Sequence, residues 1–97
     1  MGWVGSLECD VLLGDVRSLK QKRSLVRPLV ADLRRLSVAA AESGHLDLHR
    51  RALVGVAVVA ADAAHCVTVL DACERLVAAR PEVELVSARR RLFGPDD

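Results

Sequence analysis

The chain has 97 residues, of which 52% are hydrophobic and 28% charged, and its formal net charge is +1. A chain of this length has room for one domain, and this composition is typical of a globular protein rather than a disordered one. No apolar run reaches the ~20 residues that cross a bilayer, and the start MGWVGSLECD lacks the basic residues of a signal peptide. We therefore expect a cytoplasmic protein with one domain over residues 1–93 and a disordered tail over 94–97.

The cysteines and histidines carry little functional signal. Cys9, Cys66 and Cys73 are odd in number and have no CxxC spacing, which argues against a disulfide framework or a zinc ribbon. We expect them to be buried apolar side chains. The pair His45-x-Asp47 has no third ligand in the sequence, so we predict neither a metal nor another cofactor.

The first half of the chain predicts a strand followed by an amphipathic helix. Apolar and polar residues alternate over 3–13, which is the pattern of a half-buried strand. Ser18 then fits a helix N-cap, with Gln21 three residues later as its capping-box partner. An apolar arc predicts a helix over about residues 19–35, and we expect a kink at Pro28 because proline removes one backbone hydrogen bond.

The rest of the chain completes a β-α-β-β-α-β order. The remaining predicted elements are a strand at 36–42, a polar connection at 43–50, a strand at 51–61, a helix at 63–79 and a strand at 83–93. This order predicts an α+β, ferredoxin-like sandwich with sheet order 4-1-3-2 and both helices on one face. Since the strand at 51–61 is apolar on both faces, we expect the uncovered face to be buried in a twofold homodimer. Arg90 should point to the opposite side of its strand from Arg89 and Arg91, whose charges on an edge strand would limit aggregation.

Positive charge is concentrated in the predicted first helix. Residues 16–35 hold seven cations against one acid, Asp32. At 100° per residue, one stripe on the flank of the helix contains Lys20, Arg23, Arg27 and Arg34. Cations near a helix start oppose the helix dipole, so local stability does not select them, whereas a bound phosphate would. A solvated helix face and a surface for an acidic protein are the alternatives. The candidate RNA- or phosphate-binding residues are Arg17, Lys20, Lys22, Arg23, Arg27 and Arg51.

Two sequence blocks are similar to a known family. The segment RSLKQKRS at 17–24 resembles the RSLKxKRS signature of the small bacterial YlxP-like proteins (domain of unknown function 503). The segment AESGHLDLHRRALVGVAVV at 41–59 supports the resemblance, which covers about residues 2–92. The resemblance implies a ferredoxin-like fold, gene neighbours in translation and ribosome maturation, and no established catalytic activity. The chain departs from the family pattern at Gln21, Pro28 and His49.

We therefore expect a non-enzymatic protein that associates with RNA or the ribosome through its first helix, without DNA specificity. Such binding would be mainly to phosphates and steeply salt-dependent. One Trp, one Phe and no Tyr are too few aromatic residues for base stacking across the sheet. The alternative is a dimeric regulatory or small-molecule-binding module, favoured by the open sheet face and the turn at 14–18. An enzyme of the acylphosphatase type is disfavoured, because the glycine-rich first turn of that family and any asparagine are missing.

Overall fold

The structure, a computed structural model, describes residues 2–97. Its elements are β1 (Trp3–Leu13), α1 (Leu19–Arg34), β2 (Ala39–Gly44), β3 (Arg51–Ala60), α2 (Ala63–Ala78) and β4 (Val83–Phe93). The four strands form one antiparallel sheet in the order β2-β3-β1-β4, which is the predicted order read from the other edge. The α+β, ferredoxin-like prediction is confirmed.

The hydrophobic core lies between one face of the sheet and the two helices. Alternate residues of β1 are buried there, as the period of a half-buried strand requires. The helices contribute two buried stripes, which consist of Val26, Leu29, Val30 and Leu33 in α1 and Cys66, Leu70, Cys73 and Val77 in α2. All three cysteines are buried and free, and burial raises the pKa of the Cys9 thiol to about 12. Within residues 2–97, neither helix combines the length and the apolar composition that crossing a bilayer requires.

Helix α1 is held in place by its N-terminal cap and by contacts near its middle. Ser18 Oγ accepts a hydrogen bond from Gln21 N at 3.1 Å, which confirms the predicted N-cap, and Gln21 Oε1 accepts one from Arg17 N. The helix continues through Pro28 to Arg34. Further along the helix, Arg80 donates to the Pro28 carbonyl at 3.2 Å and also pairs with Asp32. The chain segment after α2 therefore holds the middle of α1 in place.

Strand β2 begins later than the sequence pattern predicts. The prediction starts it at residue 36, whereas the structure has Ala39–Gly44. After α1, Leu36 N and Ser37 N donate to the carbonyls of Leu33 and Arg34, and Ser37 adopts a left-handed φ of 63°. This extra turn occupies the residues that the apolar pattern assigns to the strand. The prediction of its first residues is therefore wrong.

The uncovered face of the sheet is apolar only in part. Val59 of β3 is 68% exposed on this face. The neighbouring strand β1, however, presents Glu8 and Asp10 there, and β4 adds Arg89 and Arg91. Successive side chains of β1 point to opposite faces of the sheet, so its polar residues lie at the centre of the open face. On the opposite side, Arg90 points towards the helices as predicted, at 2.7 Å from Asp71 and 3.1 Å from Glu74.

Candidate functional site

Four cationic side chains form a row along the exposed flank of α1. Lys20, Arg23, Arg27 and Arg34 follow one another at intervals of three, four and seven residues. At 3.6 residues per turn, these intervals keep the four within an arc of about 60°, and the row is about 21 Å long. All four residues are exposed. We call this row the basic ridge.

The charge of the basic ridge is not neutralised within the part of the chain that the structure describes. Over residues 2–97, Lys20, Arg23 and Arg27 have no carboxylate within ion-pair distance. Arg34 donates its Nε to the Ala40 carbonyl at 3.1 Å, which ties the ridge to β2. Arg35, by contrast, lies in the same helix but pairs with Asp32. The ridge is therefore a surface of permanent positive charge rather than a set of internal ion pairs.

A groove of about 520 Å³ separates the basic ridge from β2. Val26 and Val30 form its floor, and Glu42 lines the opposite wall. Three arginines of the ridge border this groove, and Arg23 and Arg27 also border a second depression next to Pro28. The site thus consists of cationic side chains beside a short apolar groove floor. Among the residues that line the two depressions there is no aromatic side chain.

Lys22 does not belong to this surface, although the sequence interpretation includes it. Its side chain is 2% exposed, and its Nζ lies 2.7 Å from Glu42 Oε2 and donates to the His45 carbonyl at 2.7 Å. The angular position of Lys22 on α1 falls between Leu29 and Leu33, in the centre of the buried stripe. This angular position is the sequence signal that indicates the burial of Lys22. Lys22 ties α1 to the end of β2 instead of meeting solvent.

Arg51 also lies elsewhere, on the open face of the sheet. It contacts Asp10 with two nitrogens, Nη2 to Oδ2 at 2.7 Å and Nε to Oδ1 at 3.3 Å. This hydrogen bonding, with a smaller contribution from nearby His45, holds the pKa of Asp10 below its usual value. Arg51 is thus paired, and the sheet separates it from the basic ridge. The sequence interpretation grouped it with the α1 residues, and the structure does not bring them together.

Arg17 stays near the start of the basic ridge but has a partner. Its Nε lies 3.5 Å from Asp15 Oδ1, and both side chains are largely exposed. An exposed pair of this kind contributes little energy, so Arg17 remains free to turn towards another anion. Of the six candidate residues, the structure places Lys20, Arg23 and Arg27 together, puts Arg17 beside them, and removes Lys22 and Arg51.

The residues that could hold a metal are dispersed. Over residues 2–97, no three side chains of His, Cys, Asp or Glu come close enough together to bind an ion. His45, which the sequence sets two residues before Asp47, has its Nε2 at 3.7 Å from Asp10 Oδ1.

Comparison with known proteins identifies the family of the chain. Residues 4–90 match the family model described as a protein of unknown function (DUF503). The chain belongs to the DUF503 family. It is also 25% identical over 91 residues to the uncharacterized protein YlxP of Bacillus subtilis (strain 168), in a match that covers 93% of this chain and 99% of that protein. The resemblance inferred from the two sequence blocks is confirmed. The first block spans the start of α1, and with it Lys20 and Arg23 of the basic ridge.

Proposed function

We propose that this DUF503 protein is a non-enzymatic, cytoplasmic RNA-binding protein that associates with ribosomal RNA through the basic ridge of α1. The observation that supports this most directly is the row of exposed cations that have no acidic partner within residues 2–97. The resemblance to YlxP-like proteins implies gene neighbours in translation, which favours RNA over other polyanions.

The chemistry of the basic ridge suits phosphate groups. Arginine guanidinium groups match phosphate oxygens with paired hydrogen bonds, and lysine adds a compact charge. Both groups are hydrogen-bond donors with several N–H groups, which suits the ridge to binding anionic oxygens. In the first turn of α1, the helix dipole disfavours the positive charge of Lys20 by about 0.3–1 kcal/mol. A bound phosphate would offset this cost, because it is attracted both to the cations of the ridge and to the positive end of the dipole.

Charge reversal on the basic ridge tests the proposal. We expect the triple variant K20E/R23E/R27E to remain folded, since the three side chains are exposed and make no ion pair over residues 2–97. Its affinity for ribosomal RNA in filter-binding titrations should fall at least about tenfold. The slope of log affinity against log salt should flatten by roughly 2–3, because three phosphate contacts are lost.

A matched control separates the basic ridge from the net charge. The variant R75E/R89E/R91E reverses three other exposed cations, none of which has an ion pair in the described chain, and changes the net charge by the same amount. We expect it to bind RNA more tightly than the ridge variant at about 100 mM salt and to keep the steeper salt dependence of wild type. If the ridge variant binds as tightly as wild type, or if both variants lose affinity equally, the basic ridge is not the RNA-binding surface.

A second candidate function is a dimeric regulatory or small-molecule-binding module. It is supported by the exposed apolar residues of the open sheet face, which are Ala39, Ala41, Ala57 and Val59. In this proposal a second copy of the chain covers these residues. Light scattering at tens of micromolar should then give twice the monomer mass of 10.5 kDa, and V59E should give the monomer mass. A wild-type protein that is monomeric at this concentration would exclude this function.

A further inference from the structure

We infer that the basic ridge recognises double-helical RNA through its phosphates, and not single-stranded RNA. This inference rests on the proposed function, since it specifies which form of RNA the ridge takes. Three observations support it. The ridge has no aromatic side chains, the open sheet face carries carboxylates on its central strand β1, and α1 is held in place by contacts along its length.

Within residues 2–97, the side chains around the basic ridge include no aromatic ring on which unpaired bases could stack. Proteins that bind single strands combine cations with aromatic rings on which the bases stack, and each stacked base contributes about 1–3 kcal/mol. The two aromatic residues of the chain lie elsewhere, because Trp3 packs against the core from β1 and Phe93 ends β4. The apolar residues at the groove floor are Val26 and Val30, which are aliphatic. The cations of the ridge and its aliphatic floor therefore favour contacts to backbone phosphates over stacked bases.

The central strands of the open sheet face are also unsuited to a single strand. In RNA-binding proteins with a related sheet, unpaired bases lie flat on aromatic residues of the central strands. Here β1 presents Glu8 and Asp10 at the centre of that face, and these carboxylates would repel phosphates. Arg51, the only cation of β1 and β3, is already engaged by Asp10 at 2.7 Å. The other cations of this face, Arg89 and Arg91, and its exposed ring, Phe93, lie on the edge strand β4. The central strands therefore offer a single strand neither stacking partners nor free positive charge.

The rigidity of α1 favours a partner whose phosphates are already ordered. The helix is capped by Ser18, held in the middle by Arg80, and joined to β2 through Arg34. The basic ridge is therefore a row of charges held at several points, about 21 Å long by the rise of the helix. A double helix presents closely and regularly spaced phosphates along a stiff axis. A single strand would have to lose conformational entropy to align its phosphates with the same row, without stacking energy to offset the loss.

A direct comparison of the two RNA forms tests the inference. The probes are one 20-nucleotide RNA strand without self-complementarity and the same strand annealed to its complement. Both are titrated with the wild type, the ridge variant K20E/R23E/R27E and the control R75E/R89E/R91E at about 100 mM salt. We expect wild type to bind the duplex at least about tenfold more tightly than the strand, after allowance for the twofold difference in phosphates. The ridge variant should lose this difference, and the control should retain it.

The outcomes separate the inference from the function on which it rests. If wild type binds the single strand as tightly as the duplex, and the ridge variant loses that binding, the inference is wrong and RNA binding by the ridge stands. If wild type binds neither form, or the ridge variant binds both forms like wild type, the proposed function fails and the inference fails with it.

Discussion

Replacing Lys22 with methionine should destabilise the fold although the new side chain has nearly the same length. Methionine keeps the buried aliphatic stem but removes the ammonium, which leaves the buried Glu42 Oε2 without its ion-pair partner and the His45 carbonyl without its donor. Removing one member of a buried ion pair costs about 3–5 kcal/mol. The Glu42 side chain is 21% exposed and can turn towards water, so we expect about 3 kcal/mol. For a chain of this size that corresponds to a fall in Tm of roughly 12–24 °C.

Urea unfolding of K22M, E42L and K22M/E42L measures this loss as a double-mutant cycle. The double variant should recover to within about 1 kcal/mol of wild type, because replacing both members of a buried pair by apolar groups is often neutral. At a temperature where K22M is folded, it should bind RNA like wild type, since Lys22 is not on the surface. A loss of stability below about 1 kcal/mol, or a tenfold loss of RNA affinity in folded K22M, would refute the structural role assigned to this lysine.

Two further predictions concern the helix α1 and the open sheet face. We expect P28A to raise the free energy of unfolding by about 2 kcal/mol. A proline in a helix interior destabilises the fold by about 3 kcal/mol, whereas its restriction of the unfolded chain stabilises the fold by less than about 1 kcal/mol. An unchanged midpoint in urea would show that α1 accommodates Pro28 without cost. Arg51 holds the pKa of Asp10 below 3.8, and a carboxylate with a lowered folded-state pKa stabilises the fold above its unfolded pKa. Wild type should therefore lose more stability than D10N as the pH falls from about 5 to 2.5, and parallel curves for the two proteins in urea titrations would contradict this.

The order and the ends of most elements could be predicted from the sequence, because they depend on local chemistry. The alternation of β1 repeats every two residues and the stripe of α1 every 3.6, so each pattern identifies its element without knowledge of the rest of the chain. The Ser18 cap depends on a residue three positions away. The strand period alone predicts that Arg90 lies on the opposite side of β4 from Arg89 and Arg91. Its ion pairs with α2 confirm this position.

The composition of the candidate site was decided by tertiary structure. Asp10 and Arg51 are 41 residues apart, and only the pairing of β1 with β3 brings a carboxylate to that guanidinium and takes Arg51 away from the basic ridge. Lys22 and Arg23 are neighbouring cations in one helix, and their side chains differ in direction by about 100°. Lys22 is therefore buried and contacts Glu42 of β2, whereas Arg23 is exposed to solvent. Charge counted along a sequence cannot separate these cases, because burial and pairing depend on groups that only folding brings within a few ångströms.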